Sequence, residues 1–237
     1  MRWEAPVIEL AVELRNPGEV LAACGLFNLA ARRGWATARF APDGRFYLDT
    51  PATLEELLAV LDAGKLTIAG DWSWVDLAGV RLNWWMREGD DFKLWAGQVN
   101  PDNLVRGLLD ACDRVRARAL EGEVLSAATP LTKRFGADPR SSWISLDIGY
   151  SPNDQGTGAI HTRPFTELLA MIGLQTFLPR KRESRAFVYH VWHSMLPLLP
   201  ARLAFAGVTM PVPGGLYRFT VSKSGSFSVF DFAELEE

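Results

Sequence analysis

Three histidines, two cysteines and one dense run of cations hold most of the chemistry this chain could do. His161 closes a loop rich in small and polar residues, Ser151 to Gly158 and onward, just ahead of an apolar helical pattern. An imidazole titrates near neutrality, and a base that deprotonates a 2′-hydroxyl can cut RNA without metal. A solvent-facing or capping histidine satisfies the same position. His190 and His193 fall on opposite faces of an expected strand, where structural roles account for both. Cys24 and Cys112 lie far apart in apolar helical runs. They read as buried thiols of a reducing compartment rather than as zinc ligands, which need closely spaced partners. Gly156 and Gly158 could bring backbone N–H groups to a phosphate, or could simply make a flexible connector. The sequence carries no Walker loop, no G-x-G-x-x-G, no H-E-x-x-H and no G-x-S-x-G, so no cofactor or metal is expected.

The cations are more suggestive. The stretch Pro179-Arg-Lys-Arg-Glu-Ser-Arg185 concentrates positive charge in a chain whose formal net charge is -3. Phe187, Tyr189 and Trp192 follow closely. Phosphate contact with adjacent stacking surfaces is one reading of this composition, and a solvated loop is the other. An acidic chain that binds a polyanion must gather its positive field locally. Lys93, Arg134, Arg140, Arg180, Lys181, Arg182 and Arg185 are the expected nucleic-acid contacts. Tryptophans crowd the stretch Trp72 to Trp95; if Trp84 and Trp85 are extended they point to opposite faces, and one of them could lie on an open surface.

A duplicated phrase positions these groups. Glu19-Val-Leu-Ala-Ala-Cys-Gly-Leu26 and Glu167-Leu-Leu-Ala-Met-Ile-Gly-Leu174 share Glu, Leu, Ala, Gly and Leu at the same offsets. Pro17 and Pro164 precede them, and alternating runs, Val7–Leu14 and Trp143–Tyr150, lie upstream. The phrase predicts two strand–helix units, with Gly25 and Gly173 where a backbone comes close, expectedly that of a sheet. Asn16-Pro-Gly-Glu19 and Thr53-Leu-Glu-Glu56 predict capping boxes. Pro42-Asp-Gly44 predicts a hairpin turn. A helix is expected over Asp102–Glu121. Strands are expected at Val80–Trp85 and Phe187–Trp192, and a proline-interrupted helix over Leu196–Ala206. A hairpin is expected around Ser222–Gly225.

The order of the first half is strand, helix, strand, strand, helix, strand, the ferredoxin-like βαββαβ pattern. The expected fold is therefore α+β, with a ferredoxin-like half at 1–98 and a divergent, partly duplicated second half at 99–237 packed on it, or one continuous domain. The N-terminal residues have no apolar core of a signal peptide, and no stretch approaches a membrane span, so a soluble cytoplasmic protein is expected.

Two segments carry a family resemblance: Asn16-Pro-Gly-Glu-Val-Leu-Ala-Ala-Cys-Gly-Leu-Phe-Asn-Leu-Ala30, and Asn83-Trp-Trp85 with Phe92-Lys-Leu-Trp-Ala-Gly-Gln98. Both resemble the small Csb proteins of type I-U (I-G) CRISPR-Cas loci, as, loosely, does the second copy with its Phe177-Leu-Pro-Arg-Lys-Arg182 tail. The resemblance implies a repeat-associated (RAMP-type) or large-subunit-like component of an RNA-guided surveillance complex. Its partners would be CRISPR RNA, target DNA and other effector subunits. It supplies no catalytic motif. A metal-independent RNA-processing endonuclease based on His161, and a subunit that touches only protein, stay open beside the RNA-binding reading.

Overall fold

The computed structural model describes residues 7–68, 74–77, 79–82, 100–131, 134–141, 160–208, 212–224 and 227–236. Lys93, Trp84, Trp85, Trp95, the Trp143–Tyr150 run and the Ser151–Gly158 loop lie outside them.

The alternation of Ile8–Ala11 makes β1, with Ile8 and Leu10 buried and Glu9 and Ala11 exposed. Asn16 then starts α1 (Pro17–Arg33), its side-chain oxygen accepting the N–H groups of Gly18 (3.0 Å) and Glu19 (3.2 Å). The expected capping box is only half made. The Asn16 N–H donates to the Glu13 carbonyl at 2.8 Å, and Glu19 reaches past it to the Glu13 N–H at 2.6 Å. Two strands follow, β2 (Thr37–Phe40) and β3 (Arg45–Asp49), joined through Gly44 at φ 81°. Thr53 opens α2 (Leu54–Leu58) with the reciprocal box that its sequence predicts. A meander of β4 (Leu66–Ile68), β5 (Val75–Leu77) and β6 (Val80–Leu82) comes next.

The amphipathic α3 (Pro101–Arg118) buries Leu104, Leu108, Leu109 and Cys112, then unwinds through a π turn at Ala119–Glu123 where Gly122 has φ 106°. The paired residues Thr129–Pro130 (β7) and His161–Thr162 (β8) lead to α4 (Pro164–Leu174), the second copy of the phrase. The chain finishes with β9 (Arg180–Glu183), β10 (Ala186–Trp192), β11 (Leu196–Pro197), α5 (Leu198–Phe205), β12 (Gly214–Ser224), β13 (Phe227–Phe230) and β14 (Glu234–Glu236).

The protein is mixed α+β with antiparallel strand pairs throughout the described sheets. One sheet has the order β1-β3-β2-β11, and a second the order β13-β12-β10-β9 with β14 also on β12. The Val80–Trp85 strand was expected to complete the first sheet. Its described part, β6, pairs with β5 instead, and among the described residues β1 stands at the sheet's end.

Helices α1 and α4 pack directly on one another. A Cβ added to Gly25 would sit 2.0 Å from the Leu169 carbonyl oxygen, and one added to Gly173 would sit 2.1 Å from that of Leu21. The close approach that the duplicated glycines predict is thus between the two copies, not between a copy and a sheet. One buried cluster runs on from this contact. Trp192 stacks on Phe177 (5.9 Å, 5°), meets Phe40 edge-on, and donates its indole N–H to the Ala38 carbonyl at 2.7 Å. Among the described residues no helix is long and apolar enough to cross a membrane.

Candidate nucleic-acid interface

The basic run forms a strand rather than the expected loop. Arg180, Lys181, Arg182 and Glu183 are all exposed on β9, an outer strand of its sheet among the described residues. Pairing with the apolar β10 imposes the conformation: Val188 lies opposite Arg180 and Phe187 opposite Lys181, with a bulge before Ala186 pairs Glu183. Charge on an outer strand also discourages edge-to-edge aggregation, which is the purely structural use of such residues. Arg185 turns the hairpin with φ 63°, the one non-glycine residue with positive φ among those described. Its carbonyl accepts the Val221 N–H at 2.9 Å, which holds the turn against β12.

Among the described residues two ion pairs cross this surface, Arg182 with Glu236 and Arg218 with Glu183, each at 3.4 Å. Exposed pairs of this kind contribute about 0–1 kcal/mol, so a phosphate can displace them. The Arg180 guanidinium lies beside Gly207, just past the C-terminus of α5, where carbonyl dipoles favour a cation. The stacking surfaces expected beyond the run are not at the surface. Phe187, Tyr189 and Trp192 are buried, because β10 runs between β9 and β12 with α5 against it, and the Tyr189 hydroxyl donates to the Leu14 carbonyl at 2.7 Å.

Arg134 and Arg140 belong to a different place. Arg134 is only 4% exposed, and burial lowers its pKa against the opposing pull of Glu167 and Asp138; that position withdraws it from the expected phosphate contact. Arg140 is committed internally. Its guanidinium meets both oxygens of Asp138 (Nε–Oδ1 2.8 Å, Nη2–Oδ2 2.9 Å), donates to the Leu125 carbonyl at 3.0 Å, and pairs with Glu19.

These residues form a buried cluster between the N-termini of α1 and α4. Asp138, fully buried, also accepts the Asn16 side-chain N–H at 3.0 Å and lies 3.7 Å from Arg163. Glu167, also fully buried, accepts the backbone N–H groups of Gly136 (2.6 Å), Ala137 (3.2 Å) and Asp138 (3.2 Å). Burial and the neighbouring Asp138 raise its pKa to about 7 against those three bonds. Burial likewise raises Glu19, with Arg140 opposing. The cluster pins 134–141 to both helices. Its signal in the sequence was the Glu common to both copies, of which Glu19 reads there as a capping residue.

The histidines stay apart. His161 is exposed on β8 opposite Pro130. His190 is half-buried on β10, and burial, then His193, lowers its pKa. His193 lies beyond the strand end, its Nδ1 3.0 Å from the Phe40 carbonyl oxygen. Cys24 and Cys112 are buried free thiols, and burial raises both pKa values.

No protein-family model matches the chain, and neither a curated protein nor a solved structure matches it.

Proposed function

We propose that the protein is a non-catalytic subunit of a type I CRISPR-Cas RNA-guided complex, holding the backbone of CRISPR RNA or of the guide–target duplex along β9. The observation that carries this reading is the exposed row Arg180-Lys181-Arg182 on an outer strand, continued by exposed Arg185, in a chain with a net charge of -3. The family resemblance supplies the biological setting, in which base pairing reads sequence and protein reads shape and charge. The first sheet supports a ferredoxin-like reading of the N-terminal half. Strand β3 lies between β1 and β2, and the helix α1 connects the outer two.

Contact must be direct, because salt screens the field within about 8 Å at physiological ionic strength. Three phosphates neutralised on a single strand give a slope of about -2 in log affinity against log salt. Replacing Arg180, Lys181 and Arg182 with Ser should flatten the measured slope by about that amount and leave the far-UV circular dichroism unchanged. Wild-type affinity and slope in a folded triple variant would remove β9 from the interface. Specific RNA cleavage in EDTA that disappears in His161→Ala would replace this reading with the endonuclease.

A further inference from the structure

We infer that the outer edge of β1 is a docking site for an extended segment of a partner polypeptide carrying a basic side chain. The backbone fixes which groups face outward. The Val12 N–H donates to the Gly44 carbonyl at 2.7 Å, so Val12 points toward β3. In an antiparallel pair the N–H and C=O of each residue share a direction and alternate along the strand. Glu9, Ala11 and Glu13 therefore turn theirs away from β3. At Glu13 both groups are already taken, the N–H by Glu19 and the carbonyl by the Asn16 N–H. At Glu9 and Ala11 no backbone partner on that side is present among the described residues. The edge thus offers a short ladder that stops at Glu13, where the Glu19 carboxylate stands in for the next strand.

Strand β9, at the end of the second sheet among the described residues, is defended by three cations. Strand β1, Ile-Glu-Leu-Ala, has no lysine, proline or bulge to blunt it. Beside its C-terminal half opens a cleft of about 530 Å³, bounded by Ala11 to Arg15, the Pro42–Gly44 turn, Leu125 and Tyr217. Glu13, Glu19 and Asp43 line it against a single cation, Arg15, whose Nε is held by the Ala233 carbonyl at 3.1 Å. Glu19 is countered by Arg140, and Asp43 lies 3.4 Å from Arg45 in an exposed pair that an incoming cation can displace, so Glu13 and Asp43 face that cation, with the Tyr217 ring as a further favourable surface. Unpaired strand groups ask for an extended backbone, and the acidic cleft asks for a basic residue on it. Strand addition with one anchoring side chain meets both demands.

The probe is a capped peptide of alternating valine and lysine, with glutamate-for-lysine and alternately N-methylated versions as controls. Binding is followed by fluorescence anisotropy and by hydrogen exchange at Glu9 and Ala11. The lysine peptide should bind and slow exchange at Ala11, while the glutamate and N-methylated peptides should bind at least tenfold more weakly. Ala11→Pro should reduce lysine-peptide binding at least tenfold, since it removes an outward N–H that no described group accepts. If that variant does not fold, the N-methylated peptide tests the same ladder on the wild-type protein. Equal binding by all three peptides, or no binding by the lysine peptide, would overturn the proposal. So would self-association abolished by Ala11→Pro, which would assign the edge to a second copy. The serine triple variant on β9 should bind the peptide normally, so failure here and failure of the RNA reading are separable.

Discussion

Helices α1 and α4 share Glu, Leu, Ala, Gly and Leu at the same offsets and meet face to face, yet their shared glutamates live differently. Glu19 sits at the rim of a cleft, shared between a backbone N–H and the Arg140 guanidinium. Glu167 is sealed from solvent and held by three backbone N–H groups, with Asp138 close by. The helix starts differ as well. Asn16 caps α1 with its side chain, whereas Arg163 at the corresponding position of α4 makes no side-chain cap bond. Repetition of a phrase therefore transmits the helix and its contact face, while the surroundings decide what the carboxylate does.

The contact face is where the comparison is most easily broken. Gly25→Leu and Gly173→Leu each drive a side chain into a backbone carbonyl that belongs to the opposing helix and cannot rotate away. Each should lower unfolding free energy by about 3 kcal/mol, the upper end of overpacking effects, as read from urea midpoints. An unchanged midpoint in either variant would mean that the two copies do not pack through these glycines.

The carboxylates differ next in their response to pH. Glu167 has a folded pKa near 7, above its ordinary value of 4.5. A raised carboxyl favours the folded state fully below the unfolded pKa, and that contribution is lost as pH rises through the folded one. Between about pH 4.5 and 7 the stability advantage of wild type over Glu167→Gln should shrink by on the order of 2–3 kcal/mol. A gap independent of pH, measured by denaturant titration across that window, would show that the buried carboxyl does not titrate there.

The caps give the smallest effect. Asn16→Ala loses the helix cap and the bond to Asp138, and should cost about 1–2 kcal/mol. Arg163→Ala removes no cap bond from the start of α4 and gives up only the 3.7 Å contact with Asp138, so it should cost less than Asn16→Ala. Equal losses in thermal melts would erase the distinction between the two helix starts.

The elements with strong local signals were legible in the sequence. The alternation at Val7–Leu14, the Thr53 box, the Pro42–Gly44 turn and both copies of the phrase report contacts between near neighbours, and these formed. The misreadings concern partners far away in the chain. The basic run carries no apolar alternation, so nothing local marks it as a strand; β10 makes it one. Phe187, Tyr189 and Trp192 look like stacking residues by type, and only the packing of β10 against Leu14, Phe177 and Phe205 buries them. Arg140 looks like any surface cation until Asp138, Glu19 and Leu125 converge on it.

The mutual packing of α1 and α4 also governs how the chain is born. A ribosome adds roughly 5–20 residues per second, and the partner of α1 emerges roughly 150 residues after it, a delay of on the order of ten seconds. Through that interval α1 has no opposing helix, and the Ala38 carbonyl waits for the Trp192 indole, 154 positions downstream. The N-terminal half cannot close its core until α4 and β10 have emerged. A nascent chain stalled before α4 should therefore remain a client for chaperones and proteases, and one stalled after β10 should resist them.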